Sequence, residues 1–249
     1  MIILKSPQEL EKMRLACVVV ADVLERIQDR VKPGVTTHEL DEYADLFIRS
    51  AGAQPAFKGY RGYPRTLCTS VNDQVVHGIP SKNVVLRPGD IVSIDVGAIV
   101  EGFYGDAART FPVGAVSPSA SRLIKISEES LVRGIAAALA DGRLYDISYA
   151  IQSYVESQGC SVVREFVGHG IGRNLHEDPQ VPNFGAKGQG LRLKAGMVLA
   201  IEPMINTGGN ATKIQEDGWT AVTADGSLSA HCEHTIAIMP DGPWILTKR

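Results

Sequence analysis

The chain has 249 residues, of which 44% are apolar, and its 25 basic and 28 acidic residues leave a net charge near −3. This size supports one large hydrophobic core, so we expect a single domain over residues 1–249. Without an excess of positive charge, nucleic acid is not an expected substrate. No apolar run approaches the ~18 residues of a bilayer span, and no secretion signal is recognisable, so a cytoplasmic location without membrane attachment is predicted.

Helix signals dominate the first 50 residues. Ser6 and the proline and glutamate that follow it predict an N-cap with a capping box, and apolar residues at helical spacing extend to Ile27. A second helix is predicted from a cap at Thr36 or Thr37 to about Ser50.

Strands are predicted next, at residues 66–71, 91–100 and 102–111. The last two share a turn near Glu101 and form a hairpin, and helix returns from Ser119 onward. The cysteines are scattered and include no Cys-x-x-Cys pair, so they are predicted to be reduced thiols rather than disulfides or zinc ligands.

The chain contains an internal repeat. Residues 86–95 match residues 193–202 in pattern, 107 positions later, and each segment ends on an acidic residue. The helix expected to end at Gly52 matches one ending at Gly159 with the same offset. Because two copies are too few for a solenoid, we expect a pseudo-symmetric domain with two similar halves.

The predicted fold class is therefore α+β, with halves of about residues 1–112 and 113–249. Each half supplies helices that cover one face of a shared antiparallel sheet. Asp95 and Glu202, the acids that end the two repeats, are expected to meet near the pseudo-two-fold axis.

Two aspartates lie on opposite arms of the predicted hairpin. With its turn near residues 100–102, Asp95 and Asp106 become cross-strand or diagonal neighbours on one face. Two carboxylates in one site repel each other unless one takes up a proton or a cation lies between them. The pair therefore predicts a metal site.

Three further side chains can complete this site. His169 is flanked by glycines, and Glu202 ends an apolar strand. Strand alternation puts Glu233 on the same face as His231. Four carboxylates and one imidazole suit two divalent ions of manganese, iron, cobalt or zinc. The alternative for each residue alone is a solvated acid or a hydrogen-bonded histidine, as we assign to His234.

These residues lie in motifs that resemble the methionine aminopeptidases, specifically type I, over nearly the whole chain. Type II members carry a long helical insertion where this chain has only the 30 residues 203–232. The resemblance implies the duplicated α+β "pita-bread" fold. The motifs that carry it are His77-Gly78-Ile79-Pro80, Asp95 with Gly105-Asp106, Gly168-His169-Gly170-Ile171-Gly172, Ile201-Glu202-Pro203, Glu216-Asp217-Gly218-Trp219 and Glu233-His234-Thr235.

The resemblance also implies the metal ligands. One ion would be held by Asp106, His169, Glu202 and Glu233. The other would be held by Asp95 together with Asp106 and Glu233, which bridge. A hydroxide bridging the two ions would attack the first peptide carbonyl of chains that begin with the initiator methionine and a small second residue.

Three residues are expected to act on the substrate's first peptide bond. Glu202 would be the general base, His176 would stabilise the oxyanion, and His77 would contact the scissile amide or deliver a proton to the leaving amine. The resemblance further implies a methionine side-chain pocket, in which Phe57 and Leu175 depart from the commonest family residues. The implied substrate-binding residues, of which all but the two histidines surround the methionine side chain, are Phe57, Tyr60, Tyr63, Cys68, His77, Leu175, His176 and Trp219.

Two other classes of protein share the pita-bread fold. A proline-directed peptidase of the same fold usually carries an extra N-terminal domain, and a catalytically dead peptide-binding module usually loses metal ligands. The expected partners are the N-termini of nascent polypeptides, and the protein is expected to be a monomer. A transient encounter with the ribosome would suit the basic residues Lys58, Arg61 and Arg65, whose alternative is an ordinary solvated face.

Overall fold

The helices of the chain begin and end close to the predicted positions. The computed structural model describes residues 2–248. Within that range no helix combines the length and apolarity that crossing a membrane requires. The α-helices are α1 (Pro7–Ile27), α2 (Thr37–Ser50), α3 (Pro118–Ala136) and α4 (Leu144–Ser157), with 3-10 turns at Gln28–Arg30 and Tyr60–Gly62.

The helix starts are stabilised by side-chain caps. Ser6 Oγ accepts a hydrogen bond from the backbone N of Glu9 at 3.3 Å, and the Glu9 carboxylate accepts one from the backbone N of Ser6 at 3.0 Å. Thr36 and Glu39 repeat this capping box at α2. Because each cap satisfies N–H groups that the helix leaves unpaired, it fixes where the helix begins.

The strands pair in antiparallel fashion and form several small sheets. β4 pairs with β5 on one edge and with β1 and β2 on the other, and a five-stranded sheet runs in the order β15-β14-β9-β7-β8. The strands are β1 (Gln54–Pro55), β2 (Leu67–Val71), β3 (Gln74–Val76), β4 (Ile91–Val100), β5 (Phe103–Pro112), β6 (Ser161–Val162), β7 (Gly168–Gly170), β8 (Glu177–Val181), β9 (Val198–Ile201), β10 (Met204–Asn206), β11 (Thr212–Ile214), β12 (Ala221–Thr223), β13 (Ser229–His231), β14 (His234–Met239) and β15 (Gly242–Ile245).

Helix α1 packs against the β4–β5 hairpin at Gly105. A Cβ at this position would lie 2.7 Å from the backbone N of Cys17, so only a glycine allows the helix to approach this closely. Since side chains alternate along a strand, Asp106 points to the opposite face from Gly105. The hairpin thus presents one face to α1 and its aspartates to the other side.

The repeated segments of the sequence take the same local form. Helices α2 and α4 each contain 14 residues. Each ends two residues before a glycine with a left-handed backbone, Gly52 with φ 75° and Gly159 with φ 73°. Separate buried apolar clusters pack under α1 with α2 and under α3 with α4. The assignment of one domain with two equivalent halves stays a prediction.

Candidate metal centre and peptide cleft

A cleft of about 180 Å³ lies beside the β4–β5 hairpin. Every residue predicted for a metal, catalytic or pocket role lines this cleft. Arg61, which was not predicted for such a role, lines it as well. The predicted residues that it brings together are Phe57, Tyr60, Tyr63, Cys68, His77, Asp95, Asp106, His169, Leu175, His176, Glu202, Trp219 and Glu233.

The two aspartates are diagonal neighbours on the hairpin. Asp95 pairs with Ala108 and Asp106 pairs with Gly97, so the two carboxylates are offset by two positions along the strands and lie on the same face. Asp106 is only 4% exposed. The sequence allowed the two aspartates to be either cross-strand or diagonal neighbours, and the hairpin adopts the diagonal arrangement.

The other three predicted ligands come from the ends and the interior of strands. His169 is the middle residue of β7, Glu202 follows β9 directly, and Glu233 lies between β13 and β14. His169 Nε2 lies 3.6 Å from Glu202 Oε1 and 4.0 Å from Asp106 Oδ2. Its Nδ1 lies 2.8 Å from the carbonyl oxygen of Gly170, which orients Nε2 toward the acids.

Several buried oxygens in this cluster have no protein partner. Among residues 2–248, Asp95 Oδ1, Asp106 Oδ1 and Glu233 Oε1 are buried without a hydrogen bond. Ligand atoms of Asp106, His169 and Glu233 all lie within 4.8 Å of one another. Buried oxygens without a donor are costly unless a cation satisfies them, so these residues fit divalent metal ions.

Burial also sets the protonation of the acids. It raises the pKa of Asp106 and of Glu233 well above their usual values, and the negative charge of neighbouring carboxylates raises both further. The pKa of Glu202 is raised for the same two reasons, and burial raises that of Asp95 to about 7. Without a cation the cluster therefore retains protons near neutral pH, and a cation would displace them.

The two other predicted histidines stand at the cleft wall. His77 follows β3 with a left-handed backbone, φ 61°, and its ring packs edge-on against Phe166 at 5.5 Å and Trp219 at 6.4 Å between centroids. His176 Nδ1 lies 2.8 Å from the Tyr60 hydroxyl. Its ring centroid is 4.3 Å from that of His169, so His176 borders the acid cluster.

A buried ion pair anchors the loop that carries His176. Lys5 Nζ pairs with Glu177, and both side chains are less than 10% exposed. The Glu177 carboxylate also accepts hydrogen bonds from the backbone N of Arg173 at 2.9 Å and of Asn174 at 3.2 Å. The N-terminal segment thereby holds the 172–177 loop against the cleft.

The predicted side-chain pocket adjoins the acids directly. Tyr63 and Trp219 pack edge-on with centroids 5.1 Å apart, and Leu175 is 2% exposed. Cys68 pairs across the sheet with Asp95, so its thiol side chain lies at the junction of pocket and acid cluster. All four cysteines are free and buried.

Two residues at the site were not among the predicted ones. Arg61 lines the cleft mouth, where the sequence suggested only a basic surface near the pocket. His231 Nε2 lies 3.7 Å from Glu202 Oε2. The alternation that placed His231 on the face of Glu233 was the available signal for it.

The model of metallopeptidase family M24 matches residues 11–240. The fold and the acidic cleft thus define a metallopeptidase. A relative from Clostridium perfringens, named methionine aminopeptidase, is 57% identical over 247 residues and 99% of each chain. The chain belongs to metallopeptidase family M24.

Solved structures agree with this assignment. The crystal structure of a methionine aminopeptidase from Thermotoga maritima is 47% identical, with a TM-score of 0.99 over 100% of both chains. A prolidase from Pyrococcus furiosus, 22% identical with a TM-score of 0.77, shares the fold alone, and the match covers 66% of its length. The resemblance, the pita-bread fold and the metal-dependent hydrolase class expected from the motifs are confirmed.

Proposed function

We propose that this chain is a metal-dependent aminopeptidase that removes the N-terminal methionine from newly made polypeptides with a small second residue. The observation that carries the proposal is the junction of a buried acid cluster with a pocket of aromatic rings, Leu175 and a thiol. Such a pocket suits the flexible thioether of methionine, and the acids lie where the first peptide bond would follow.

The proposed centre holds two divalent ions of cobalt, manganese, iron or zinc. Asp106, His169, Glu202 and Glu233 would bind one, and Asp95 with the bridging Asp106 and Glu233 the other. The buried oxygens without donors and their raised pKa values support this assignment. When bound, the ions would polarise the substrate carbonyl and lower the pKa of the attacking water.

Glu202 acts in this proposal as the general base. Its carboxylate adjoins His169, and burial raises its pKa well above the usual value. The raised pKa belongs to the metal-free site, and a bound cation would displace that proton and leave the carboxylate able to accept one from water. Glu202 therefore takes the proton of the attacking water and can pass it toward the leaving amine.

The two cleft histidines act on the substrate as neutral hydrogen-bonding groups. The hydrogen bond between His176 Nδ1 and Tyr60 leaves Nε2 to donate to the substrate carbonyl oxygen as negative charge develops there. Burial lowers the pKa of His77 to about 4, so it contacts the scissile amide or relays a proton without carrying a charge near neutral pH.

Replacing Glu202 tests the proposed role of this residue. Glu202→Gln keeps the side-chain shape and removes the base, so methionine release from a Met-Ala-Ser peptide should fall by roughly a hundredfold or more. The matched control is Glu101→Gln, in the exposed hairpin turn, which should keep full activity. Circular dichroism checks that both variants fold. More than about a tenth of wild-type activity in Glu202→Gln contradicts the assignment.

Substrate choice separates the proposal from proline-directed peptidases of the same fold. The wild-type protein should cleave Met-Ala peptides and leave Xaa-Pro peptides intact, and the reverse preference contradicts the proposal.

We further propose that the protein works in the cytoplasm as a monomer that meets nascent chains at the ribosome. Analytical ultracentrifugation tests the monomeric state, and cosedimentation with ribosomes tests the encounter with the ribosome.

A further inference from the structure

His231 lies at the metal centre although it is not one of the five predicted ligands. It ends β13 and is 2% exposed. Its backbone N donates to Thr110 Oγ1 at 2.9 Å, and its carbonyl oxygen accepts from the same hydroxyl at 2.8 Å. This double contact with β5 fixes the backbone, so the position of the imidazole is determined by the fold.

The imidazole is directed at the acids without a partner of its own. Among the described residues, His231 Nε2 is buried and makes no hydrogen bond. It lies 3.7 Å from Glu202 Oε2, while His169 Nε2 lies 3.6 Å from Glu202 Oε1. The Glu202 carboxylate is therefore placed between two imidazoles at nearly equal distances.

The neighbouring histidine in the sequence has a different environment. His234 Nδ1 lies 2.8 Å from Thr247 Oγ1, so this ring has a protein partner. His234 also lines a separate groove between α1 and α3. The alternation of side chains thus puts His231 with Glu233 and separates it from His234.

Two histidine-containing groups of ligand atoms result, and they share Glu233. The first consists of Asp106, His169 and Glu233. The second consists of Glu202, His231 and Glu233, again with all ligand atoms within 4.8 Å of one another. Two carboxylates and an imidazole at this spacing are a common ligand set for divalent transition metals.

We propose that His231 is an additional metal ligand of this chain, which binds a divalent cation through Nε2 together with Glu202 and Glu233. A second imidazole makes the donor set softer than one histidine among carboxylates. Imidazole suits zinc, cobalt and iron better than manganese. His231→Gln should therefore weaken zinc binding by about tenfold or more, with a smaller effect on manganese.

Proton NMR of the cobalt(II) protein tests the ligand directly. A histidine bound to cobalt(II) through Nε2 keeps an exchangeable Nδ1 proton, whose resonance is displaced far outside the usual range. Metal-free full-length protein is titrated with two equivalents of cobalt(II). We expect two such resonances in the wild type, one in His231→Gln, and two in the matched control His234→Gln.

The outcomes separate this proposal from the proposed function on which it rests. A single displaced resonance in the wild type overturns the role of His231, and so does a His231→Gln spectrum that keeps both resonances. If the wild-type protein binds no cobalt(II), the metal centre itself is contradicted. The wild-type spectrum decides the question even where the His231→Gln variant fails to fold.

Discussion

At the scale of single residues, burial decides which groups of the site carry charge. It lowers the pKa of His169 to about 3, so this imidazole is neutral near neutral pH and its Nε2 can bind a metal ion. The same burial raises the pKa values of the surrounding carboxyl groups. The metal-free site therefore carries less negative charge than four ionised acids would.

Replacing His176 tests the proposed oxyanion contact. His176→Ala removes the donor to the developing negative charge, so kcat should fall by about a hundredfold or more with a smaller change in KM. Tyr60→Phe removes only the hydrogen bond that orients His176 and should lower kcat by about tenfold or less. Steady-state kinetics on a Met-Ala-Ser peptide distinguishes these outcomes. Equal losses in the two variants would mean that the ring orientation, rather than the Nε2 donor, accounts for the effect.

At the scale of elements, the β4–β5 hairpin and α1 form the base of the cleft. The hairpin carries both aspartates, and α1 fixes its position through the close contact at Gly105. His169 and Glu202 are contributed by β7 and the end of β9, which are paired with each other. The metal ligands thus depend on strand pairing and on one tight helix contact.

A methyl group at position 105 should disturb this base. Gly105→Ala places a Cβ 2.7 Å from the backbone N of Cys17, and backbone cannot move aside cheaply. The free energy of unfolding should fall by about 1–3 kcal/mol, as for other overpacked sites. Denaturant unfolding measures the change.

The control for this substitution is another glycine with ordinary space around it. Among residues 2–248, a Cβ on Gly209 would meet only Asp225 Oδ2, at 3.5 Å. Gly209→Ala should leave the unfolding midpoint nearly unchanged. An unchanged midpoint in Gly105→Ala as well would show that α1 shifts without cost.

At the scale of the whole molecule, metal binding and folding are linked. The buried carboxyl groups have raised pKa values in the metal-free folded state, that of Asp95 reaching about 7. Their protonated forms favour folding, so this contribution is lost as the pH rises from the unfolded value of about 4 through the folded pKa. A cation must displace the same protons, so its stabilising effect increases over the same pH range.

Thermal unfolding with and without manganese tests this linkage. At a fixed concentration equal to 100 times the Kd at pH 6, a bound ion adds about 2.7 kcal/mol at that pH, which corresponds to roughly 5–10 °C in Tm for a chain of this size. The increase in Tm should be larger at pH 8 than at pH 6. Calorimetry at both values, with a chelator as the metal-free reference, measures it. An increase that is independent of pH would contradict the protonated state of the metal-free acids.

Much of the local structure was determined by the sequence alone. The capping boxes at Ser6 and Thr36 predicted where α1 and α2 begin, and the apolar runs around Glu101 predicted the hairpin that carries Asp95 and Asp106. These signals are local, because caps, turns and strand alternation involve residues a few positions apart.

Other features of the site were decided only by the tertiary structure. No local pattern predicts that Lys5 pairs with Glu177 and supports His176, or that Arg61 joins the cleft mouth. The position of the Glu202 carboxylate between His169 and His231 likewise depends on how three separate strands, β7, β9 and β13, pack together. Such contacts join residues distant in the chain, and their geometry follows from how the sheets pack and twist, which propensity and spacing do not specify.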